Sequence, residues 1–449
     1  MRTTPTIVAP ATPPGVGGLA VVRLSGPESP RILKQLDSRH RILPTHRATH
    51  LHVVDTSGEI IDDAVAVYFQ APHSYTGEDV VEISCHGSPL VVQKLVHLIC
   101  DLGARLAEPG EFTRRAFLNG KMDLIQAEAV AAFIGAQTSE SSRLNRRLLQ
   151  GRLSTQIGHL KKRLVTALGQ IEYVLDISEE EIGADLVPRL TADLTDLEQE
   201  GRALLSSYRW GQLLNEGAVV ALAGPPNSGK STLFNYLLQD DRAITSPVPG
   251  TTRDYISANF HLEGIPLQLM DTAGLRSSSD QIEKAGIDKT RSLIDSCDIV
   301  LWIQDVNHPT DEDPGESIAV PVLKIFNKID LLPSKPNSFQ AKSQGQEIYI
   351  SALTGEGVPE LLEEMKGLLI RDQGPERSVA LATIRQFETM QQFVQPLEKS
   401  LHLLRQNPPP LELISFELRE ALNALDLLLG KTTPDEILNT IFREFCVGK

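Results

Sequence analysis

The amino-acid sequence predicts a multidomain fold: an α+β domain comes first, and a discontinuous all-helical domain is interrupted by an inserted α/β domain. Three observations support this prediction. The chain has 449 residues, which is too long for one ordinary domain. Its apolar pattern changes from strand-like to helical near Met122, and helical stretches flank a segment in which strands and helices alternate. We predict domains at 1–121, 122–215, 216–374 and 375–449, the second and fourth forming one helical domain. The alternative is two unrelated helical segments.

The first 121 residues have the pattern of short strands with one or two helices. Strands are predicted at GLAVVRLSG, DDAVAVYF and DVVEISCHG, which are rich in β-branched residues and bounded by turn residues. Residues 55–58, DTSG, predict a turn. The run PLVVQKLVHLICDLGA has apolar residues at three-to-four spacing and predicts a helix.

Long amphipathic segments follow and predict helices. They are LIQAEAVAAFIGAQT, an unbroken RRLLQGRLSTQIGHLKKRLVTALGQIEYVL, and LTADLTDLEQEGRALLSSY. After the α/β segment, helices return at LATIRQFETMQQFVQPLEKSLHLL and LELISFELREALNALDLLLG. A last helix is predicted to begin with Thr433 as N-cap, Pro434 at the first helical position and Glu436 closing a capping box.

Composition limits the possible functions. The net charge of -15 and the pI near 5.3 argue against non-specific coating of nucleic acid. The N-terminus lacks a secretory pattern, and no stretch approaches the roughly 18 uninterrupted apolar residues of a membrane span. We therefore expect a cytoplasmic protein. The four cysteines have no paired spacing, so we expect reduced thiols rather than disulfides or a zinc site.

A phosphate-binding loop is predicted at GPPNSGKST, residues 224–232. The motif follows the apolar strand VVALA and precedes the helical run LFNYLL, as a phosphate loop requires. Glycines allow backbone N–H groups to surround phosphates at a helix N-terminus. Lys230 is expected to reach the β and γ phosphates and Ser231 to bind Mg²⁺.

Three further motifs follow in order and indicate GTP. Asp271 ends the strand of LQLMDTAG, where it can hold the Mg²⁺ shell, and Gly274 can offer an N–H to the γ phosphate. In NKID, the Asp330 carboxylate can accept two N–H bonds from guanine that adenine does not offer. Ser351 and Ala352 of ISAL are expected near the guanine oxygen.

Hydrolysis needs a group to position water, because Leu275 occupies the place of the glutamine found in many small GTPases. Two candidates are open. Asn227, with the segment SPVPGTTRD, could enclose a monovalent cation beside the phosphates; the alternative is a loop-shaping amide. Glu283 could align water, or it could be a solvated surface residue. We predict K⁺-dependent, Glu283-assisted hydrolysis.

The whole chain resembles the MnmE (TrmE) family of tRNA-modifying GTPases. The resemblance is carried by TIVAPATPPG, VVRLSG, SYTGEDVVEISCHG, EPGEFTRRAFLNGKMDLIQAEAV, the phosphate loop, GTTRD, DTAGLR and the terminal FCVGK. It implies an N-terminal folate-binding and dimerising domain, the discontinuous helical domain and an inserted P-loop GTPase domain. It also implies a homodimer that works with the flavoprotein MnmG in a heterotetramer. The two proteins add an aminomethyl-type or carboxymethylaminomethyl group to C5 of the wobble uridine of certain tRNAs, with GTP, Mg²⁺, K⁺ and a 5-formyl or 5,10-methylene tetrahydrofolate.

The resemblance, together with the motifs, assigns the site residues. The expected GTP contacts are Asn227, Ser228, Gly229, Lys230, Ser231, Thr232, Ser246, Thr251, Thr252, Asp271, Thr272, Ala273, Gly274, Asn327, Lys328, Asp330, Ser351, Ala352 and Leu353. Mg²⁺ is expected at Ser231 and Thr252, and K⁺ at Asn227, Ser246, Val248 and Thr251. Folate contacts are expected from Arg23, Glu82, Lys121 and Lys449. Glu283 and Lys230 are the expected catalytic residues, with Cys446 as a further candidate.

Several alternatives stay open from the sequence. Cys446 is either a residue near folate and substrate or a packed structural thiol. The basic run from Arg143 to Arg163 is either a tRNA contact or a solvated helical face. The phosphate loop has proline where arginine is common in the family, and SPVPG has two prolines in the cation loop. A regulatory or ribosome-assembly switch without covalent RNA chemistry is the alternative function.

Overall fold

The computed structural model describes residues 4–176, 185–239, 256–271, 297–309, 320–332, 347–370, 379–443 and 445–448. The chain divides into two compact units. The first comprises residues 1–134, 148–198 and 392–449, and the second comprises 135–147 and 199–391. None of the helices in the described ranges is long and apolar enough to cross a membrane.

The N-terminal part is a six-stranded sheet in the order β3-β4-β5-β2-β1-β6. Its strands are β1 (Ile7–Pro10), β2 (Leu19–Ser25), β3 (Thr49–Val54), β4 (Ile60–Phe69), β5 (Val80–His86) and β6 (Arg105–Leu106). All pairs are antiparallel except β1 with β6. The predicted turn is confirmed, since the Gly58 N–H donates to Asp55 O at 3.1 Å.

Helices cover the apolar face of this sheet. They are α1 (Ser29–Leu36) and α2 (Pro89–Asp101), whose buried leucines and isoleucines share one core with the inward residues of β2 to β5. A third helix, α3 (Glu111–Leu118), was not predicted. Eight residues are too few to give a clear helical period in the sequence, so only tertiary packing identifies it.

The helical segment begins with α4 (Leu124–Gly135), α5 (Ser139–Leu149), α6 (Arg152–Asp176) and α7 (Leu186–Glu216). The predicted unbroken helix from 146 to 175 is wrong, because α5 ends before α6 begins. Gly151 between them has a φ of +74°, which is the left-handed conformation that ends helices.

After the α/β segment come α10 (Ile384–Leu403), α11 (Leu411–Leu429) and α12 (Asp435–Arg443). The predicted capping box is wrong: α12 begins at Asp435, and the Thr433 hydroxyl donates to Leu427 O at 3.4 Å instead. Pro434 thus stands just before the helix, and its carbonyl accepts from the Leu438 N–H.

Helices from the two segments pack on each other, which confirms a discontinuous helical domain. Lys161 of α6 pairs with Asp426 of α11 at 2.5 Å, and Arg419 of α11 pairs with Glu172 of α6. Separately, Tyr208 of α7 stacks on Phe387 of α10 with ring centroids 4.6 Å apart. The chain therefore leaves the helices at α7 and returns to them at α10 after the insertion.

The insertion is a second six-stranded sheet, ordered β12-β11-β10-β7-β9-β8. Its strands are β7 (Ala218–Ala223), β8 (Ile256–Leu262), β9 (Ile265–Asp271), β10 (Ile299–Asp305), β11 (Val322–Asn327) and β12 (Glu347–Tyr349). The helices described with it are α8 (Lys230–Gln239), a 3₁₀ turn (Ile329–Leu331) and α9 (Val358–Leu369).

Alternating strands and helices favour a parallel sheet, and the sheet of the insertion is parallel except at one edge. Strand β8 runs antiparallel to β9, because Glu263 and Gly264 form a two-residue turn with φ angles of +47° and +92°. The other pairs are parallel. Consequently the carboxyl ends of β7, β9, β10 and β11 lie along one edge, which is where such sheets bind ligands.

Candidate functional site

The phosphate loop, residues 224–229, joins the end of β7 to the start of α8. Gly224 has a φ of +133°, and a Cβ there would lie 2.1 Å from Ile303 O. Gly229 has a φ of +93°, and its Cβ would lie 2.1 Å from Asn327 Nδ2. Any side chain at either position would collide with the neighbouring strands. Both glycines are therefore needed for the loop to close over the sheet edge.

The cation and the hydroxyl of the motif lie at the start of α8. Lys230 Nζ donates to the carbonyls of Gly224 at 3.0 Å and Pro225 at 2.7 Å, which places the ammonium over the loop. The Ser231 hydroxyl donates to Asp271 Oδ2 at 3.2 Å. A hydroxyl beside a buried carboxylate at a strand end is a pair of hard oxygen ligands, so these residues fit a Mg²⁺ ion.

Asn327 joins the phosphate loop to the loop after β12. Its side chain is 2% exposed; Nδ2 donates to Ser228 O at 2.9 Å, and Oδ1 accepts from the Ala352 N–H at 2.9 Å. In the same loop the Ser351 hydroxyl donates to Asp330 Oδ1 at 2.6 Å. One buried amide thus sets the distance between the predicted phosphate-binding and guanine-binding loops.

Asp305, the last residue of β10, takes part in this site and was missed from the sequence. Its carboxylate pairs with Lys328 Nζ at 2.7 Å. Burial alone would raise the Asp305 pKa, but the hydrogen bonds from Lys328 and from the Asn307 N–H outweigh it and hold this pKa below its usual value. An acidic residue that ends a buried strand beside the NKID strand was the available signal.

Other predicted nucleotide contacts lie on the same loops. Asn227 has a φ of +60°, which asparagine adopts readily, so its backbone fits the loop-shaping alternative. Ser228 is 1% exposed, and its hydroxyl has no hydrogen-bond partner among the described residues. Thr232 is exposed at the start of α8, and the Leu353 side chain is 74% exposed.

Eight residues predicted for the nucleotide, metal and water-positioning sites lie outside the described residues. They are Ser246, Val248, Thr251, Thr252, Thr272, Ala273, Gly274 and Glu283. The K⁺ set and the water-positioning carboxylate therefore stay predictions.

A second cluster in the N-terminal sheet brings together two of the predicted folate contacts. Arg23 of β2 pairs with Glu82 of β5 at 2.8 Å, as their direct register across the two strands allows. The Arg23 guanidinium also lies 5.4 Å from the Tyr75 ring centroid and 5.7 Å from that of Phe112. Burial raises the pKa of Tyr75. A cation that is paired with a carboxylate and lies close to two aromatic rings is complementary to a planar, polar ligand.

The C-terminal tail, residues 445–448, lies against this cluster. Gly448 O accepts from Arg23 Nη1 at 3.3 Å, and Cys446 O accepts from the Gly110 N–H at 3.4 Å. The Cys446 side chain is exposed, which argues against the packed-thiol alternative. Lys121 points elsewhere, with Nζ donating to Pro72 O at 3.0 Å, and Lys449 lies outside the described residues.

The basic run divides between the two units and is partly neutralised. Arg143 pairs with Glu140 at 2.9 Å in one unit, whereas Lys161 pairs with Asp426 and Arg163 with Asp196 at 3.6 Å in the other. These ion pairs favour the solvated-face alternative over a continuous phosphate-binding strip.

A phosphate loop, a strand-end carboxylate and an NKID loop at one edge of a parallel sheet define a P-loop guanine-nucleotide-binding protein. The comparisons with known proteins are more specific. Residues 6–121 match the family model of the GTP-binding protein TrmE N-terminus, and residues 124–446 match that of the MnmE helical domain. The chain therefore belongs to the MnmE (TrmE) family.

The similarity to known proteins extends over nearly the whole chain. A tRNA modification GTPase MnmE of Bordetella petrii is 41% identical, covering 99% of this chain and 98% of that protein. The MnmE of Thermotoga maritima is 41% identical, covering 99% of this chain and all of that protein. Among solved structures, Era of Aquifex aeolicus matches 42% of this chain and 68% of that chain at 25% identity, with a TM-score of 0.28.

Proposed function

We propose that this protein is a GTP hydrolase that acts in tRNA modification. The observation that carries the proposal is the full-length similarity to tRNA modification GTPases, together with the assembly of Lys230, Asp271, Asn327 and Asp330 at one sheet edge. In this proposal the protein adds a (carboxymethyl)aminomethyl group to C5 of the wobble uridine of certain tRNAs. It acts in the cytoplasm as a homodimer, together with a flavoprotein partner of the MnmG type.

The assignment of chemistry to domains follows the predicted boundaries. Residues 1–121 bind tetrahydrofolate through Arg23 and Glu82, and their ion pair, with the Tyr75 and Phe112 rings close to the guanidinium, supports this role. Residues 216–374 bind GTP and Mg²⁺, which the Ser231–Asp271 pair supports. Residues 122–215 and 375–449 form the helical domain, which brings the tail bearing Cys446 to the folate cluster.

Loss of the gene is expected to remove C5-aminomethyl-type wobble uridines from bulk tRNA. Mass-spectrometric nucleoside analysis would measure this in strains without the gene and with it restored. The Lys230→Ala variant tests the need for the nucleotide site separately, because it keeps the folate cluster but removes the cation expected on the phosphates. Unchanged nucleosides in the strain without the gene would instead favour a regulatory or ribosome-assembly switch.

Hydrolysis is expected to require K⁺ and Glu283. A monovalent cation beside the phosphates supplies positive charge that Leu275 and the rest of the motif do not, and a carboxylate can orient the attacking water. GTP turnover is therefore expected to be faster in KCl than in NaCl at equal ionic strength, and slower in Glu283→Ala by about 10²- to 10⁴-fold. Equal rates in the two salts reject the first part, and an unimpaired Glu283→Ala variant rejects the second.

A further inference from the structure

Two histidines and an aspartate share the exposed face of β3 and β4, away from the folate cluster described above. His50 and His52 are two residues apart on β3, so their side chains leave the same face of the sheet. The antiparallel register places Asp63 of β4 directly opposite His52. Among the described residues, these three form the one group of histidine, cysteine or acidic side chains whose ligand atoms converge as for a metal ion.

The ligand atoms are already close to the separation that an ion requires. One ligand atom from each side chain lies within 4.8 Å of the other two. His52 Nδ1 is hydrogen-bonded to Asp63 Oδ1, and the centroids of the His50 and His52 rings are 5.1 Å apart. Because zinc–ligand distances are about 2.0–2.2 Å and the geometry is tetrahedral, two ligands of one ion lie about 3.3–3.6 Å apart. Rotations of the exposed His50 and Asp63 side chains would bring the three ligand atoms to this spacing.

The backbone that carries the histidines is held on both sides. The ladder to β4 fixes one side of β3. On the other side, the Ser38 N–H donates to His52 O at 3.0 Å, and Arg41 Nη2 donates to His50 O at 2.9 Å. Arg41 is in turn fixed at 2.7 Å by Asp37, whose carboxylate is fully buried. The edge strand therefore presents both imidazoles from a defined backbone, which reduces the ordering that metal binding would require.

We propose that His50, His52 and Asp63 bind a divalent first-row transition-metal ion, with Zn²⁺ as the representative case. Two imidazoles and one carboxylate form the mixed nitrogen and oxygen set that suits Zn²⁺, Ni²⁺ and Cu²⁺ rather than Mg²⁺. The ion replaces the proton now used in the His52–Asp63 hydrogen bond and leaves at least one coordination position for water. The ligands are exposed or half-exposed, so the ion can enter from solvent.

The same sheet contains a matched pair that lacks the third ligand. His86 Nδ1 lies 2.6 Å from Asp62 Oδ1, and no third ligand atom converges on this pair from the described residues. A variant of His86 therefore removes an even more exposed imidazole beside a carboxylate without touching the proposed site.

Equilibrium dialysis of the full-length protein with Zn²⁺ tests the proposal, with Mg²⁺ and GDP in excess so that the nucleotide site is occupied. The wild type and His86→Ala are expected to bind the same number of Zn²⁺ ions. His52→Ala and Asp63→Asn are each expected to lower the affinity for one of these Zn²⁺ ions by at least about tenfold, because each removes a direct ligand. Cu²⁺ electron paramagnetic resonance is the second measurement, and His50→Ala is expected to reduce the coordinated imidazoles from two to one.

Unchanged Zn²⁺ binding in His52→Ala and Asp63→Asn would overturn the proposal, as would a wild type that binds no Zn²⁺. An equal loss in His86→Ala would do the same, since it would mean that any exposed imidazole suffices. Thermal melts of the variants without metal distinguish loss of a ligand from loss of the fold.

Discussion

The Asp330→Asn variant is expected to bind GTP about 10²- to 10⁴-fold more weakly than the wild type and to gain affinity for xanthosine triphosphate. The carboxylate lies in the loop after β11 and is oriented by the Ser351 hydroxyl at 2.6 Å. In the proposed function it accepts two hydrogen bonds from guanine, each contributing about 1.5–3 kcal/mol because the acceptor is charged. An asparagine accepts one of these bonds and opposes the other with its NH₂ group. Xanthine carries an oxygen in place of the exocyclic amino group of guanine, and this oxygen can accept a hydrogen bond from the asparagine NH₂ group.

Titration with fluorescent GTP and with xanthosine triphosphate measures this exchange. Glu347→Gln is the control, because it makes the same carboxylate-to-amide change at an exposed position of β12 in the same sheet. Binding of xanthosine triphosphate by Asp330→Asn would show that the loops still fold. GTP affinity equal to that of Glu347→Gln would show that Asp330 does not read the base.

The Gly448→Ala variant is expected to lose tRNA modification by about 10²-fold while keeping its rate of GTP hydrolysis. Gly448 has a φ of +100°, and a Cβ there would lie 2.1 Å from the backbone oxygen of Pro10. Since that oxygen belongs to β1, the tail is the element that must move. Its movement would break the Arg23–Gly448 hydrogen bond and shift Cys446, and an error of about 1 Å at a reacting group can reduce a rate by about 10²-fold.

Nucleoside analysis with purified tRNA and partner, in parallel with a GTPase assay, separates the two activities. Val447→Ala is the matched control, because it shortens an exposed neighbour that has no such backbone constraint. Cys446→Ser then asks whether the thiol itself reacts or whether only the tail position matters. Full modification by Gly448→Ala would remove any role for tail placement, and equal losses in Val447→Ala and Gly448→Ala would indicate general sensitivity of the terminus.

Sequence-based prediction succeeded where a short motif carries its own geometry. The phosphate loop, the strand-ending Asp271 and the NKID segment are local, and each needs only its own strand and turn to lie at the sheet edge. Asp305 was missed because its role depends on which strand is adjacent to β11, and strand order is not encoded within one motif. The antiparallel β8 was missed for a similar reason, since two residues decide whether the chain turns back or crosses over.

Local patterns were sufficient to predict the division into α+β, helical and inserted α/β segments and the strand–loop–helix setting of the phosphate loop. Those features depend on hydrophobic period and on turn and loop chemistry, which act over a few residues. Three-dimensional packing was needed to establish what lies together across long separations: Arg23 with Glu82 and Gly448, Asn327 with Ser228 and Ala352, and His50 with His52 and Asp63. The physical reason is that register, strand order and helix packing are set by burial of the whole chain, whereas a local pattern fixes only which face each residue occupies.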